Sequence, residues 1–148
     1  MKFAKDNAGS GYAIRAYAPG AITVSLPPAT EEAELEARAA NVLTRSFIIS
    51  PAELIVDWAP THLDELAAEH LQPVVQMAPQ VVLIGSGERQ RFPQAQVLQP
   101  LIAAGVGIEV MDNGAACRTY NILAAEGRAV VAALLLGESP QKSPVTKR

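Results

Sequence analysis

The stretch that most constrains the fold is Val81–Ile84, VVLI, an apolar run without alternation. A strand with one wet face alternates apolar and polar side chains, whereas a strand covered on both faces does not. The loop GSGERQRF follows it. Pro93 is placed to open a helix that runs through Ala104. Pro100 lies inside that helix and removes one backbone hydrogen bond, which predicts a kink or a late start. Gly105 ends it. Ile108–Met111 reads as the next strand, Gly114–Glu126 as the next helix, and Gly127 as its C-cap. Arg128–Leu136, RAVVAALLL, reads as a last buried strand. This order of strand, helix, strand, helix, strand predicts an α/β domain. Right-handed crossovers would set the strands from Val81 and Ile108 parallel and close together.

The first half is less regular. Tyr12–Leu26 predicts a hairpin, because Tyr12, Ile14 and Ala16 alternate with Ala13, Arg15 and Tyr17 before the turn dipeptide Pro19-Gly20. LPPATEEAELEARAANVLTR has helix-forming composition with Thr30 as N-cap, but its apolar face is thin, so residues 26–43 read as a surface insert. SFIIS and LIVDW are short β-rich runs around Pro51. Thr61 is expected to cap a helix over HLDELAAEHLQ, with Asp64 three residues on as in a capping box and Pro73 as its stop. Leu63, Leu66, Ala67 and Leu71 fall on one face of it. Trp58 ends a strand as a core or rim residue.

At 148 residues the chain has the size of one domain. Residues 1–136 are expected to form it, and the polar, proline-containing stretch 137–148 to be a disordered tail. A domain this long buries roughly 68–70% of its unfolded surface, so it needs no disulfide or metal. Charged residues are only 18% against 49% apolar, which predicts a large core or an apolar patch that meets a partner. Such a patch would serve a homodimer equally well. A net charge of -3 argues against a nucleic-acid binder, which normally shows a basic stripe. Neither a signal peptide nor a membrane span is read, and the single cysteine fits a reducing compartment, so a cytoplasmic protein is expected.

The candidate site follows from the strand order. In open α/β sheets ligands bind beyond the carboxyl ends of the strands. Those ends carry GSGERQRF and MDNGAACR. Gly85 and Gly87 form either a tight turn or an anion site closed by Arg89 or Arg91, although Gln90 breaks the dinucleotide fingerprint and no P-loop is present. Asp112 or Asn113 can cap the following helix, and Gly114 marks a close approach or a positive φ. Cys117 is either a packed core residue or a thiol activated by the helix start and Arg118. Arg118 either faces the crevice or pairs with Asp112 or Glu126. Asn121, one turn beyond Cys117, faces a pocket or bonds a neighbouring loop. No catalytic set, cofactor motif or metal-ligand cluster is read.

SFIISP followed by LIVDW, VLIGSG with RF after it, and VMDNGAACRTYNILAAEGR occur in one order between Tyr12 and Leu136. Together they resemble domain-of-unknown-function family 498, small α/β proteins of bacteria, archaea and mitochondria. Threonine is usual in that family where Asn113 and Ser86 stand, and the link over Leu26–Leu43 is longer here. No mitochondrial targeting extension is read. The resemblance implies a single three-layer domain with a mixed central sheet, helices and an N-terminal β-hairpin layer. It makes Gly85, Gly87, Arg91, Phe92, Asp112, Gly114, Cys117, Arg118 and Asn121 the characteristic residues, without assigning them a role. Mitochondrial members include an assembly factor for respiratory complex I. The resemblance therefore implies a non-catalytic accessory or assembly factor whose partners are proteins, in the first place those of a membrane-bound respiratory complex. The alternative is a binder of an anionic small molecule, or an enzyme, using the crevice between residues 85–92 and 111–118.

Overall fold

The computed structural model describes residues 11–25 and 41–137. The helix expected from Thr30 lies outside the described residues, as does all of the tail expected over 137–148 except Gly137. The hairpin forms as β1 (Ala13–Ala18) and β2 (Ala21–Ser25), turning at Gly20 with φ +80°. Val42–Leu43, the end of the expected insert, instead adds β3 to the hairpin as a third antiparallel strand.

The main sheet contains β4 (Phe47–Ile49), β5 (Leu54–Ile55), β6 (Val81–Gly85), β7 (Gly107–Met111) and β8 (Val130–Leu134) in the order β5-β4-β8-β6-β7. β6 is parallel to both β7 and β8, and β4 is antiparallel to β8, so the sheet is mixed as expected. The chain leaves β6 for β7 on one side and returns to β8 on the other. β8 is buried at every position, which is why its sequence shows no alternation.

Each face of this sheet carries one core. Phe47, Ile49, Leu83, Ala132 and Leu134 face the N-terminal strands and a long helix from Asn113. Ile48, Val82, Ile84, Val131 and Ala133 face a layer of short helices. The result is one α/β domain in three layers. The N-terminal sheet and the long helix share one outer layer.

The short-helix layer departs from the sequence expectation. There is no helix capped by Thr61. Leu63–Glu65 and Ala68–Leu71 are separate 3-10 turns, and α1 is Gln72–Met77. The Thr61 N–H and hydroxyl both donate to Glu65 Oε1, at 2.9 and 3.1 Å, so Thr61 is not free to cap. The Ala67 N–H donates to His70 Nδ1 at 2.9 Å and holds Ala67 extended between the turns. Pro73 starts α1 instead of stopping a helix, because a first-turn position needs no N–H donor. Leu63, Leu66 and Leu71 are still buried. The Pro100 ambiguity resolves as a late start: Ala95–Leu98 is a 3-10 turn and α2 is Gln99–Ala103 with Pro100 in its first turn.

α3 (Asn113–Ala125) is the long helix. It ends in a Schellman motif: the Gly127 N–H donates to Ala124 O and the Arg128 N–H to Leu123 O, both at 3.0 Å. Gly127 has φ +77°, so an L side chain there would be strained.

Candidate functional site

The loops after β6 and β7 do meet, and they are bound to each other. Asn113 joins them. Its N–H donates to Gly87 O at 2.8 Å, and its side-chain oxygen accepts the Gly87 N–H at 3.2 Å. Its Nδ2 donates to Leu135 O at 2.9 Å, just past the end of β8. The Leu135 N–H in turn donates to Gly85 O at 3.1 Å. Asn113 is almost wholly buried, and a buried amide left unpaired would cost about 1–3 kcal/mol per group. A Cβ at Gly85 would collide with Asn113 Oδ1 and the Leu134 side chain, so glycine is required here by close approach.

Ser86 closes the same loop on itself. Its hydroxyl donates to Arg89 O at 2.8 Å and accepts the Arg91 N–H at 3.1 Å, while its own N–H donates to Met111 O at 2.9 Å. Gln90 Nε2 donates to Val110 O at 2.9 Å, on the outer edge of β7. An anion held by this loop needs free N–H groups, and those of Ser86, Gly87 and Arg91 are already engaged.

Asp112 is the N-cap of α3. Its Oδ1 accepts the Ala115 N–H at 2.8 Å, an arrangement that contributes about 1 kcal/mol. Its carboxylate therefore occupies the helix start where an anion would sit. Tyr17, at the end of β1, closes over this point: its ring lies 3.3 Å from where a Gly114 Cβ would be. Burial raises the Tyr17 phenol pKa, and nearby Glu88 and Asp112 raise it further. The mouth of the crevice is thus acidic. Tyr17 was not among the candidate residues, because no local pattern ties a hairpin aromatic to a glycine almost a hundred positions later.

Cys117 lies beneath this mouth with 3% of its surface exposed. Burial pushes its thiol up to about 11, and Arg118 offsets this only in part. Cys117 is packed in the core on this side of the sheet, and desolvation outweighs the adjacent guanidinium. Tyr120 is fully buried, its phenol strongly raised by desolvation, and its hydroxyl donates to Tyr12 O at 2.8 Å. Asn121 bonds the neighbouring strand. Its Oδ1 accepts the Ile14 N–H at 3.0 Å and its Nδ2 donates to Ile14 O at 2.6 Å, as another strand would. Arg118 is exposed. It pairs with neither Asp112, which caps the helix, nor Glu126, whose carboxylate lies 3.9 Å from Arg128.

Arg91 is turned away from α3. Its guanidinium donates to Asp64 Oδ1 at 3.1 Å, with both side chains at least half exposed, and such a pair is worth little. Beside it a polar cavity of about 280 Å³ is lined by Leu63, Asp64, Leu66, Arg91, Phe92 and Val97. A larger, apolar one of about 530 Å³ opens at the other end of the sheet, between Pro51, Met77, Pro79 and Ala124. The larger of these two cavities is therefore not at the carboxyl ends of β6 and β7. Among the described residues no group of three or more His, Cys, Asp or Glu side chains is placed to hold a metal ion.

Fold and site together define a small three-layer α/β protein whose glycine- and asparagine-rich turn joins layers of the fold. Residues 14–135 match the family described as protein of unknown function (DUF498/DUF598), and the chain belongs to it. A solved structure from Bordetella parapertussis superposes with a TM-score of 0.71 at 34% identity, covering 86% of this chain and 98% of that one. The chain is 32% identical over 68 residues to the 13 kDa major membrane protein of Francisella tularensis, covering 46% of this chain and 55% of that protein. It is 43% identical over 56 residues to the human NADH dehydrogenase [ubiquinone] 1 alpha subcomplex assembly factor 3, covering 38% of this chain and 30% of that protein. The chain thus spans about half or less of the length of these curated relatives. No helix among its described residues is long and apolar enough to cross a membrane.

Proposed function

We propose that the chain is a non-catalytic accessory or assembly factor that acts through protein–protein contacts, with a membrane-bound respiratory complex as its client. One observation carries the reading: apart from the exposed Arg118 and the half-buried Thr119, the polar groups of MDNGAACRTYN are spent inside the fold. Asp112 caps α3, Asn113 and Asn121 bond distant backbone, Tyr120 reaches Tyr12, and Cys117 is buried. Such a motif preserves a shape, and a preserved shape serves recognition. Relatives named as assembly factors of NADH dehydrogenase supply the client class. In this reading the protein works from the cytoplasm and meets its client at the membrane surface, which accommodates a relative named as a membrane protein.

The test is deletion of the gene in its own host, followed by native electrophoresis of solubilised membranes. Full-size NADH dehydrogenase should fall, with subassemblies accumulating, and return when the intact chain is restored. Undiminished assembly and activity would overturn the reading.

A further inference from the structure

The pairing of β4 with β8 stops short of the residue that starts β8. Ile49 faces Ala132, and the same register continued would set Pro51 opposite Val130. Pro51 has no N–H to give, and its carbonyl already accepts the Tyr12 N–H at 3.1 Å. The chain turns away at this point. The Ser50 N–H donates to Glu53 O at 2.8 Å, and the Ala52 and Glu53 N–H groups both donate to the Ser50 hydroxyl.

Along a strand the N–H and C=O of successive residues turn to opposite neighbours. On the β6 side the Val81 N–H donates to Ala129 O at 3.4 Å, and the Leu135 N–H donates to Gly85 O at 3.1 Å. Ala129, Val131, Ala133 and Leu135 therefore face β6, and Val130, Ala132 and Leu134 face the β4 side. Ala132 and Leu134 find Ile49 and Phe47 there. Among the described residues neither the N–H nor the C=O of Val130 has a hydrogen-bond partner. Val130 is nevertheless only 1% exposed. Buried peptide groups are almost always paired, so this one marks a missing partner.

The cavity of about 530 Å³ lies at this gap. Val130 forms one wall and Pro51 and Ala52 another, while Met77, Pro79 and Ala124 make it largely apolar. Arg128 is its one charged residue among the described residues, and Glu126 lies 3.9 Å from that guanidinium, so the cavity selects no charge.

We propose that this cavity receives a short, extended, apolar segment of a partner protein, which takes the place of a continued β4. One residue of the segment exchanges both hydrogen bonds with Val130, as in an antiparallel pair, and its small apolar side chains lie on Met77, Pro79 and Ala124. A free N–H beside a free C=O, in line with a paired strand, is what another peptide complements. A lipid chain would leave both unpaired. The inference rests on the interaction reading above and adds where the partner binds and what it presents.

The test uses the intact protein in its host, with Ala52, exposed at the rim, replaced by a benzophenone-bearing amino acid. The same replacement is made at Phe92 and Glu69, on other surfaces. Irradiation should trap, from position 52, a protein whose mapped peptide is a run of small apolar residues without proline at its centre. A fluorescent copy of that peptide should bind the purified intact chain. N-methylation of its central residues, one at a time, should weaken binding by roughly tenfold at one position, where the N–H given to Val130 is lost. Amide exchange gives a second readout that no variant's folding can disturb. The peptide should slow exchange at Val130 and leave Val131, bonded to β6 in either state, unchanged. Trapping from position 92 or 69 but not 52 overturns this docking site and leaves the interaction reading standing. No trapped protein from any position overturns both. Trapping at 52 only of lipid, a small molecule or this chain itself overturns the site. So does a charged or proline-centred mapped peptide, N-methylation without effect at every position, or unchanged exchange at Val130.

Discussion

The two faces of the central sheet are held in different ways. Against α3, side chains are stitched to backbone far away in sequence: Asn121 to the first strand, Tyr120 to the residue before it, Asn113 to the residue just past the last. On the other face Leu71, Val74 and Leu101 pack against Val82, Ile84 and Val131, delivered by a 3-10 turn and by short helices opened by Pro73 and Pro100. Apolar packing tolerates a change of shape that keeps the volume. A buried amide tolerates no partner but a donor and an acceptor in place. The stitched face is therefore the one whose residues must stay as they are, whether or not they touch anything outside the molecule.

The largest expected effect tests this contrast directly. Asn113→Leu keeps the size but leaves the Gly87 N–H and Leu135 O unpaired, and should cost about 3 kcal/mol or more. Leu101→Met on the other face should cost less than about 1.5 kcal/mol. Urea unfolding of the two variants gives the comparison, and equal losses would break it. A smaller effect sharpens it. Asn121→Asp keeps the acceptor for the Ile14 N–H but loses the donor to Ile14 O, for about 1–3 kcal/mol. Protonation restores the donor, so the carboxyl pKa is raised in the folded state. Unfolded-state protonation near pH 4 sets the lower edge: the variant should be closest to wild type below it and lose stability as pH rises through the folded value. A deficit independent of pH would show that the bond to Ile14 O matters little.

The smallest effect concerns Cys117. Its folded pKa is about 11 against 9.0 in the absence of burial. The folded state therefore binds the extra proton between those values, and the resulting stability, complete below pH 9, is lost as pH rises towards 11. Thermal unfolding compared with Cys117→Ala isolates this term from other groups titrating there. Thiol labelling at pH 8 should be slow until denaturant is added, and rapid labelling of the folded protein would restore a reactive role.

Much of the fold could be read from the sequence because its strongest signals are local. Unbroken apolar runs marked β6 and β8, glycine marked the ends of α2 and α3, and Asp112 stood where an N-cap belongs. Two things could not be read. Thr61 has the composition of a cap, but Glu65 and His70 compete for the same backbone and split the segment into 3-10 turns. The partners of Asn113, Asn121 and Gly114 lie 22 to 107 residues away or on another strand, where no spacing rule reaches. Of the candidate site, the meeting of the two loops was legible from strand order. That Asn113 fills the space between them was not, because a buried amide and a ligand-binding amide are the same letter in a sequence.

The join between β2 and β3 has a consequence for how freely the chain can be altered. The Val24 N–H donates to Asn41 O at 3.0 Å, so the chain leaves the sheet and re-enters it at neighbouring points. The sheet itself therefore fixes Ser25 and Asn41 close together, and a fluorescent reporter or affinity handle joined at either point leaves β1–β3 in register as long as this bond and the Ile22–Leu43 pairing survive.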